Sequence, residues 1–233
     1  MTGWRKYLTV AALCLGAACA RGEAAPLPEV PDTIYEWVQS SARMNYFFNK
    51  EQIHYGVDAQ GFIDPDVLVV PTLKTYDTVQ IDDVLEKRRW RDQPTAGFEG
   101  LSGEAAYIRI DLKKREVVTD TVHLLDFHLS TLEETKPGDV VKIDDLSPKN
   151  LSRVFFEAII AYAEKHQETL IARTKGELRE SDRTRLERER HEREKALEKA
   201  RKEEEKRLEK ERKAAEKAAR EKAKAEERAR RGR

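Results

Sequence analysis

Cysteine is nearly absent from this chain. The two cysteines, Cys14 and Cys19, lie within the first 20 residues, in a segment with the pattern of a secretory signal. Once that segment is removed the mature chain has no thiol, which excludes disulfides, zinc–thiolate sites and a cysteine nucleophile. The sequence also contains no G-x-S-x-G, no phosphate-binding glycine loop and no H-E-x-x-H. We therefore expect no enzyme, and we assign no catalytic, cofactor-binding or metal-binding residue.

Few side chains in this sequence have the spacing that metal ligands have. The cluster with the most potential metal ligands is His123, Asp126 and His128. Alternation along a strand places His123 on the face opposite to the other two, and two ligands are too few for a structural zinc site. The carboxylates of Asp64 and Asp66 lack the spacing of a calcium loop, and they predict a turn instead.

Two further features invite a functional interpretation. Three glycines recur at three-residue intervals in 94–104, without the strand-to-helix context of a nucleotide site, and they predict a mobile loop. Trp90 lies in the basic run 87–91. We expect its ring to pack against the sheet while the arginines reach outward. Contact with a partner is the alternative.

Large apolar residues are scarce in the last quarter of the chain. From Arg173 to Arg233 there are 25 Lys/Arg and 17 Asp/Glu among 61 residues, so this segment has little to bury. Its charges support a helix, because Glu precedes Lys by four residues at Glu198–Lys202 and Glu209–Lys213 and each such pair contributes ~0.2–0.5 kcal/mol. The large apolar residues there are Leu178, Leu186, Leu197 and Leu208.

The spacing of these leucines bears on a coiled coil. Leu186, Leu197, Leu208 and Ala219 recur every 11 residues, whereas a coiled-coil seam repeats every 3.5. One apolar position in three turns predicts a lone charged helix, with a weak oligomer or a disordered segment as alternatives. About 50 helical residues would reach roughly 75 Å.

Charge is divided unevenly along the chain. The tail carries a net +8, while the first 172 residues hold 19 basic and 27 acidic residues, a net −8. The basic end around Arg228–Arg233 could contact an anionic surface, or it could be a solvated helix end whose cations complement the helix dipole. No aromatic residue interrupts the tail charges, so we expect no nucleic-acid partner.

The N-terminus has the parts of an export signal. Within residues 1–20, a short basic lead precedes an apolar stretch that is short for a membrane span. Cleavage after Ala20 would leave a Pro/Ala-rich linker over 21–31. The sequence around Cys19 also resembles a lipobox, so a lipoprotein is the alternative. We expect an exported protein, in the periplasm or at the cell surface.

Residues 32–167 are enough for one domain with its own core. In 105–112 the side chains alternate between two faces of a strand, with Tyr107 on one face and Ile108 on the other. Pro71, in the run 66–76, indicates an edge strand or a bulge. The runs that predict strands are 33–40, 44–49, 66–76, 105–112 and 116–130. Together they predict an antiparallel meander.

Two segments of this domain predict helices. Residues 81–91 are a short candidate. The second begins at Ser147-Pro148, because serine is a favoured N-cap and proline a favoured first helical residue. Its apolar stripe, which should pack on one face of the sheet, is Leu151, Val154, Phe155, Ala158, Ile159 and Tyr162. Gly176 predicts a hinge before the tail.

The order of these elements resembles a known family. A first strand bearing Trp37, a Tyr/Phe-rich second strand with a polar-Ile turn (46–53), a Val-rich strand, a late hairpin and a Ser-Pro-initiated helix look like the small secreted bacterial domains similar to surface-adhesin protein E. The resemblance covers residues 32–165. It implies an antiparallel sheet with a C-terminal helix in an envelope protein, and it assigns no binding residue. In composition, the tail resembles the long helices of envelope-spanning proteins such as TolA.

The sequence thus predicts an α+β protein, with an antiparallel β-sheet packed with a C-terminal helix and then a long charged single α-helix over 168–233. We expect an envelope protein of structural or interaction type, whose β-rich domain recognises a protein or envelope polymer and whose tail is a spacer. A surface adhesin or ligand-binding module, anchored through the basic tail, is the alternative. We expect a monomer or a weak oligomer, and a domain that stays folded when 177–233 is deleted.

Overall fold

The computed structural model describes residues 28–231, with side chains for all of them except residues 214 and 216–231. The expected signal segment 1–20, the alternative lipidation of Cys19 and most of the linker 21–31 lie outside this range. Of the helices within it, none combines the length and the apolar character that crossing a membrane requires.

An eight-stranded sheet forms the body of the molecule. Its strands are β1 Tyr35–Ser40, β2 Met44–Asn49, β3 His54–Val57, β4 Ile63–Tyr76, β5 Leu101–Asp111, β6 Glu116–Asp126, β7 Thr131–Thr135 and β8 Val140–Lys142. Six of them follow the order β1-β2-β4-β5-β6-β7, while β3 pairs with β4 and β8 with β6. All these pairings are antiparallel, which confirms the predicted α+β class and antiparallel sheet.

Pro71 lies in the middle of the sheet, so the prediction of an edge or a bulge was wrong. On one side β4 pairs with β5 without a register shift, and Pro71 faces Tyr107. On the other side β2 ends at the pair Phe48–Thr72, and β3 begins at the pair His54–Val69. Pro71 is opposite the interval between those two strands, where no ladder hydrogen bond is required on that side.

The first helix, α1, spans Thr78–Trp90 and starts a turn earlier than the predicted 81–91. Asp77 is its N-cap, because its carboxylate accepts the backbone N–H groups of Val79 and Gln80 at 2.9 and 3.3 Å. An aspartate that satisfies these first donors stabilises the helix start by about 1 kcal/mol.

The second helix, α2, spans Leu151–Lys165. The predicted start at Ser147-Pro148 was wrong, because Asn150 is the N-cap and accepts the N–H of Ser152 at 2.9 Å. Its buried residues are Phe155, Ile159 and Ala163. The predicted stripe members Leu151 and Val154 are exposed.

The main core lies between α2 and one face of the sheet. Inward side chains of β4 and β5, including Leu68 and Ile110, are fully buried, and they belong to the same cluster as Phe155. The Phe155 and Tyr46 rings are 5.5 Å apart between centroids. The alternate residues of the same strands point the other way, to a face that α2 does not cover, which we call the open face.

Two more helices complete the chain: α3, Gln167–Arg173, and α4, Glu180–Arg231. Residues 174–179 separate them, so the helical chain is interrupted near Gly176, where the sequence predicted a hinge. A Cβ on Gly176 would lie 2.9 Å from the backbone oxygen of Gly61, so only glycine permits this approach. The buried core includes Leu170 of α3, which lies beyond the expected domain boundary at residue 167.

Candidate functional site: the helix junction and the open face

The first turns of α4 are attached to the sheet by an ion pair and a buried leucine, at what we call the junction. Arg185 donates two hydrogen bonds to the carboxylate of Asp66 in β4, at 2.7 and 3.0 Å, while Leu186 is buried. Burial raises the pKa of Asp66, but hydrogen bonds and charge from Arg185 and Lys113 outweigh it, so the pKa is lowered overall. The carboxylate therefore stays charged at neutral pH.

Backbone contacts hold the segment that enters α4. The N–H of Ile63, the first residue of β4, donates to the backbone oxygen of Glu177 at 2.9 Å, and Phe62 forms an isolated bridge with the same residue. Arg179 pairs with Asp58 in the β3–β4 turn. The break between α3 and α4 is thus a fixed corner of the fold.

Beyond the junction α4 leaves the sheet domain. Its last polar contacts run to α3 and to the end of α2, through Arg190 to Glu168 and through Arg193 to Gln167 and Glu164. From Glu194 onward every described side chain is exposed, and Leu197 is 70% exposed. We call residues 194–231 the rod. At ~1.5 Å per residue it would extend roughly 57 Å.

The rod shows the ion pairs expected from its sequence. Glu198 and Lys202 are 2.6 Å apart, and Glu209 and Lys213 are 2.7 Å apart. Both pairs are solvent-exposed, so each contributes only a few tenths of a kcal/mol. Because every described side chain of the rod is exposed, its helical structure depends on many small local interactions more than on packing against the sheet domain.

The open face carries a shallow groove of about 490 Å³, which we call the open-face groove. Val57, Pro71 and Tyr107 supply apolar and aromatic surface, and His54 lies beside them. Val57 and Tyr107 are exposed. The β2–β3 turn and the residues after α3 supply its remaining lining, Glu51, Gln52, Arg173 and Lys175.

The cations of this groove lack acidic partners among the described residues. Arg173 donates to the backbone oxygens of Lys50 and Ile53, at 2.7 and 3.2 Å, and these bonds fix its guanidinium without neutralising it. Lys175 likewise forms no ion pair within residues 28–231. Glu51 is the groove's acidic residue. The arrangement fits an extended ligand with apolar and anionic groups.

A second polar cluster lies beneath α2. Lys74 pairs with Glu104 at 2.6 Å, and the Tyr76 hydroxyl donates to the same carboxylate at 2.5 Å. Burial raises the pKa of Glu104, but the Lys74 charge and the hydrogen bonds from Lys74 and Tyr76 outweigh it and lower the pKa overall. Burial, together with the Glu104 charge, raises the pKa of Tyr76. The three groups satisfy one another, which is what a structural polar network requires.

The predicted histidine cluster divides as strand alternation implies. His123 packs edge-on against Tyr107 of the open face, and its Nδ1 is buried without a hydrogen-bond partner within the described range. Asp126 accepts the N–H groups of His128 and Ser130, at 2.8 Å each, so it shapes the β6–β7 turn. Across residues 28–231, no three His, Cys, Asp or Glu side chains are grouped to hold a metal ion.

The prediction for the basic run 87–91 was wrong. Trp90 is 82% exposed and does not pack on the sheet, whereas Arg88 is 7% exposed. The Arg88 guanidinium lies 3.8 Å over the Phe98 ring and pairs with Glu133 of β7. Arginine takes the inward position because a planar cation can stack and hydrogen-bond at once. Phe98 thereby anchors the loop that was expected to be mobile.

The junction and the open-face groove were not found by sequence reasoning. Arg185 and Asp66 are 119 positions apart, and no local pattern relates them. Tyr107 was placed correctly on the polar face of its strand, which was the only signal for the groove. No protein-family model matches this chain, and no curated protein matches it.

Proposed function

We propose that this chain is an exported bacterial envelope protein of structural or interaction type. In this proposal the sheet domain recognises a protein or an envelope polymer, and the rod holds that domain at a distance from another contact. The observation that carries it is the contrast within α4. Its first turns are fixed by Leu186 and by the Arg185–Asp66 pair, while every described side chain from Glu194 onward is exposed.

A fixed base is what a spacer requires. A flexible attachment would let the rod sweep over many directions, and the separation it imposes would be lost. Two arginine–aspartate contacts, Arg185 to Asp66 and Arg179 to Asp58, and a buried leucine oppose that motion. The N-terminal pattern of the sequence supports the exported location.

The open-face groove is the recognition surface in this proposal. It is concave, has apolar walls and contains cations not neutralised by described acidic side chains. Binding sites commonly combine a mostly apolar lining with a few oriented polar groups. The same groove supports the second candidate, a surface adhesin or ligand-binding module anchored through its basic tail, because its volume of about 490 Å³ is that of a ligand site.

The location is tested by protease treatment of intact cells. Trypsin cuts at the exposed Lys and Arg residues of the rod wherever it has access, and an antibody against the sheet domain reports the remaining fragment. Cleavage on intact cells, with a periplasmic control protein left whole, favours the adhesin. Protection until the envelope is permeabilised favours a periplasmic spacer. A chain that remains in the cytosolic fraction in both cases contradicts export.

The role of the rod is tested by changing its length and its sequence separately. One variant lacks 198–208, which is 11 residues and about three helical turns, so the residues after the deletion keep their orientation around the helix axis. A second keeps the length but permutes the residues of 194–231 within each charge class. If the rod is a spacer, the shortened protein should lose its function, and the protein with the permuted rod of full length should keep it. The reverse result would show that rod residues bind a partner directly.

A further inference from the structure

The rod carries an exposed apolar stripe that continues from the junction. Leu197 and Leu208 are 70% and 55% exposed, and they follow the buried Leu186 at intervals of 11 residues. At about 100° of rotation per residue, all three leucines lie within about 40° of one another around the helix axis. The face of α4 that is buried at the junction therefore continues along the rod, where it is exposed.

Two charged residues lie between the exposed leucines on the same face. Arg201 and Glu204 lie within about 40° of Leu197 around the axis, and both are exposed. Among the described side chains neither of them forms an ion pair, whereas Glu198 and Lys202, on another side of the helix, are paired at 2.6 Å. The rod face, as we call it, consists of Leu197, Arg201, Glu204 and Leu208.

The rod face is complementary to a second copy of itself. Along the helix its order is leucine, base, acid, leucine, so the reversed order places an acid opposite each base. When a partner rod lies antiparallel with its Leu208 level with Leu197, twofold symmetry brings its Glu204 level with Arg201 and its Arg201 level with Glu204. A parallel partner would instead place like charges opposite each other, which is unfavourable.

The rod face is accessible where the rod leaves the sheet domain. A groove of about 590 Å³ lies between this part of α4 and the end of α2. The α4 side of the groove includes Arg190, Arg193 and Leu197, which lie within about 40° of one another on either side of Leu197. Leu197 therefore has open space beside it, into which the partner's Leu208 can pack. Packed helices cross at angles of roughly 20–50°, so the last turns of each rod diverge from the partner's sheet domain.

We propose that two copies of this chain associate through their rod faces as an antiparallel pair. Each Leu197 packs against the partner's Leu208, and each Arg201 pairs with the partner's Glu204. Two leucine contacts and two exposed ion pairs make a small interface, so the association is weak and reversible. The pair presents one sheet domain at each of its ends. This association goes beyond the spacer role, and its test measures mass instead of function, so the two proposals can fail separately.

The experiment is sedimentation equilibrium of the chain from Arg21 to Arg233, at concentrations from micromolar to millimolar. We expect a concentration-dependent change from monomer to dimer. Arg201→Glu or Glu204→Arg alone should raise the dissociation constant about tenfold or more, because both ion pairs of the dimer become like-charge contacts. An equimolar mixture of these two variants should associate about as well as the wild type, because each introduced charge then faces its opposite.

The matched control is Lys202→Glu. It reverses the same charge one residue further along, about 100° around the axis from Arg201, and should leave association unchanged. Leu197→Ala keeps a residue of high helix propensity and should weaken association, because it removes both leucine contacts of the symmetric pair. Circular dichroism should show the same helix content in all these variants, which separates loss of the contact from loss of the helix.

The direction of the pair is tested with spin labels on single introduced cysteines. Labels at Lys202 of the two copies should be nearly level along the axis, whereas labels at Lys195 should be roughly 22 Å apart along it. Equal label distances at the two positions would indicate a parallel pair and overturn the proposed register.

Three results would overturn the association itself. The first is a protein that stays monomeric at millimolar concentration. The second is a dimer that Lys202→Glu weakens as much as Arg201→Glu does. The third is a mixture of the two charge variants, Arg201→Glu and Glu204→Arg, that associates no better than either variant alone, which would indicate contact through another surface.

Discussion

Arg185 donates to both carboxylate oxygens of Asp66, at 2.7 and 3.0 Å, and so joins α4 to the strand that runs through the centre of the sheet. The planar guanidinium matches the carboxylate plane, which fixes an angle as well as a distance. Asp182 and Glu189 on α4 also lie within ion-pair distance of Arg185. This contact therefore helps to fix the direction in which the rod leaves the domain.

Arg185→Ala should loosen the rod without unfolding the sheet domain. The pair is partly solvated, with side chains 26% and 22% exposed, so we expect a loss of about 1–2 kcal/mol at the junction. The measurement is the distance distribution between spin labels on cysteines introduced at Thr121 and Glu204 in the chain from Arg21 onward, which has no native cysteine. The distribution should broaden, while Arg201→Ala, on the free rod, should leave it narrow. Equal widths in all three proteins would contradict the assigned role.

Acid should release the same contact. The folded pKa of Asp66 is lowered, so its contribution to stability is complete above the unfolded value of about 3.9 and is lost as the pH falls through the lower folded value. We expect the label distances to broaden below about pH 4. Asp66→Asn should already show the broad distribution at neutral pH, and acid should add only the smaller change from protonation of Asp58, the partner of Arg179. Broadening that instead occurs near pH 6 would point to histidine titration.

Two truncations should have different effects on stability. Removing 194–233 takes away no buried side chain among those described, so the temperature of unfolding should stay within about one degree of the wild type. Removing 177–233 takes away Leu186, the contact of Leu178 with the core and the Arg185–Asp66 pair. Burial of one leucine alone contributes about 1.5–3 kcal/mol. Urea denaturation at neutral pH measures the difference, and equal stabilities would show that the junction contributes nothing.

The polar cluster under α2 should depend on both of its charged members. Lys74→Met leaves the Glu104 carboxylate without its cation, and we expect a loss of about 3 kcal/mol. The double variant Lys74→Met with Glu104→Leu should recover most of that loss, because no unpaired charge remains. Free energies of unfolding for the two single variants and the double variant give the coupling. Additive effects would mean that the two side chains act independently.

Gly103 should tolerate no side chain. A Cβ there would lie 2.3 Å from the backbone oxygen of Lys74 on the neighbouring strand, and neither backbone can withdraw without breaking the β4–β5 ladder. Gly103→Ala should cost about 3 kcal/mol or more. Gly100→Ala is the comparison, because the nearest atoms belong to the Phe127 ring, which is exposed and can rotate. A small effect of Gly103→Ala on urea denaturation would contradict this close approach.

Local patterns predicted much of the fold. Alternation identified the strand residues of β5, such as Tyr107 and Ile108, and the apolar run at β4 marked the central strand. Helix starts were less accurate, because Asp77 and Asn150 are N-caps as good as the Ser147 that was chosen. The choice among them depends on how the helix packs on the sheet through Phe155 and Ile159, and that requires knowledge of the partner surface.

The candidate sites depend on contacts between distant parts of the chain. The groove combines Gln52, Pro71, Tyr107 and Arg173 from four segments, and no spacing rule joins them. At the end of α1, Arg88 is buried and Trp90 is exposed, opposite to the prediction, and this was missed for a different reason. Hydrophobicity alone assigns Trp90 to the interior, whereas the guanidinium of Arg88 satisfies a carboxylate, a backbone oxygen and an aromatic ring together.

The position of β4 has a mechanical consequence. Its first residues bear the junction and its last residues lead into α1, so a pull between the two ends acts along the strand. The hydrogen bonds to β5 run perpendicular to that direction, and they would share the load in shear instead of parting one at a time. A protein held between two surfaces in this way would resist stretching better than its equilibrium stability alone implies, and single-molecule force spectroscopy would register a high rupture force along this axis and a low one across it.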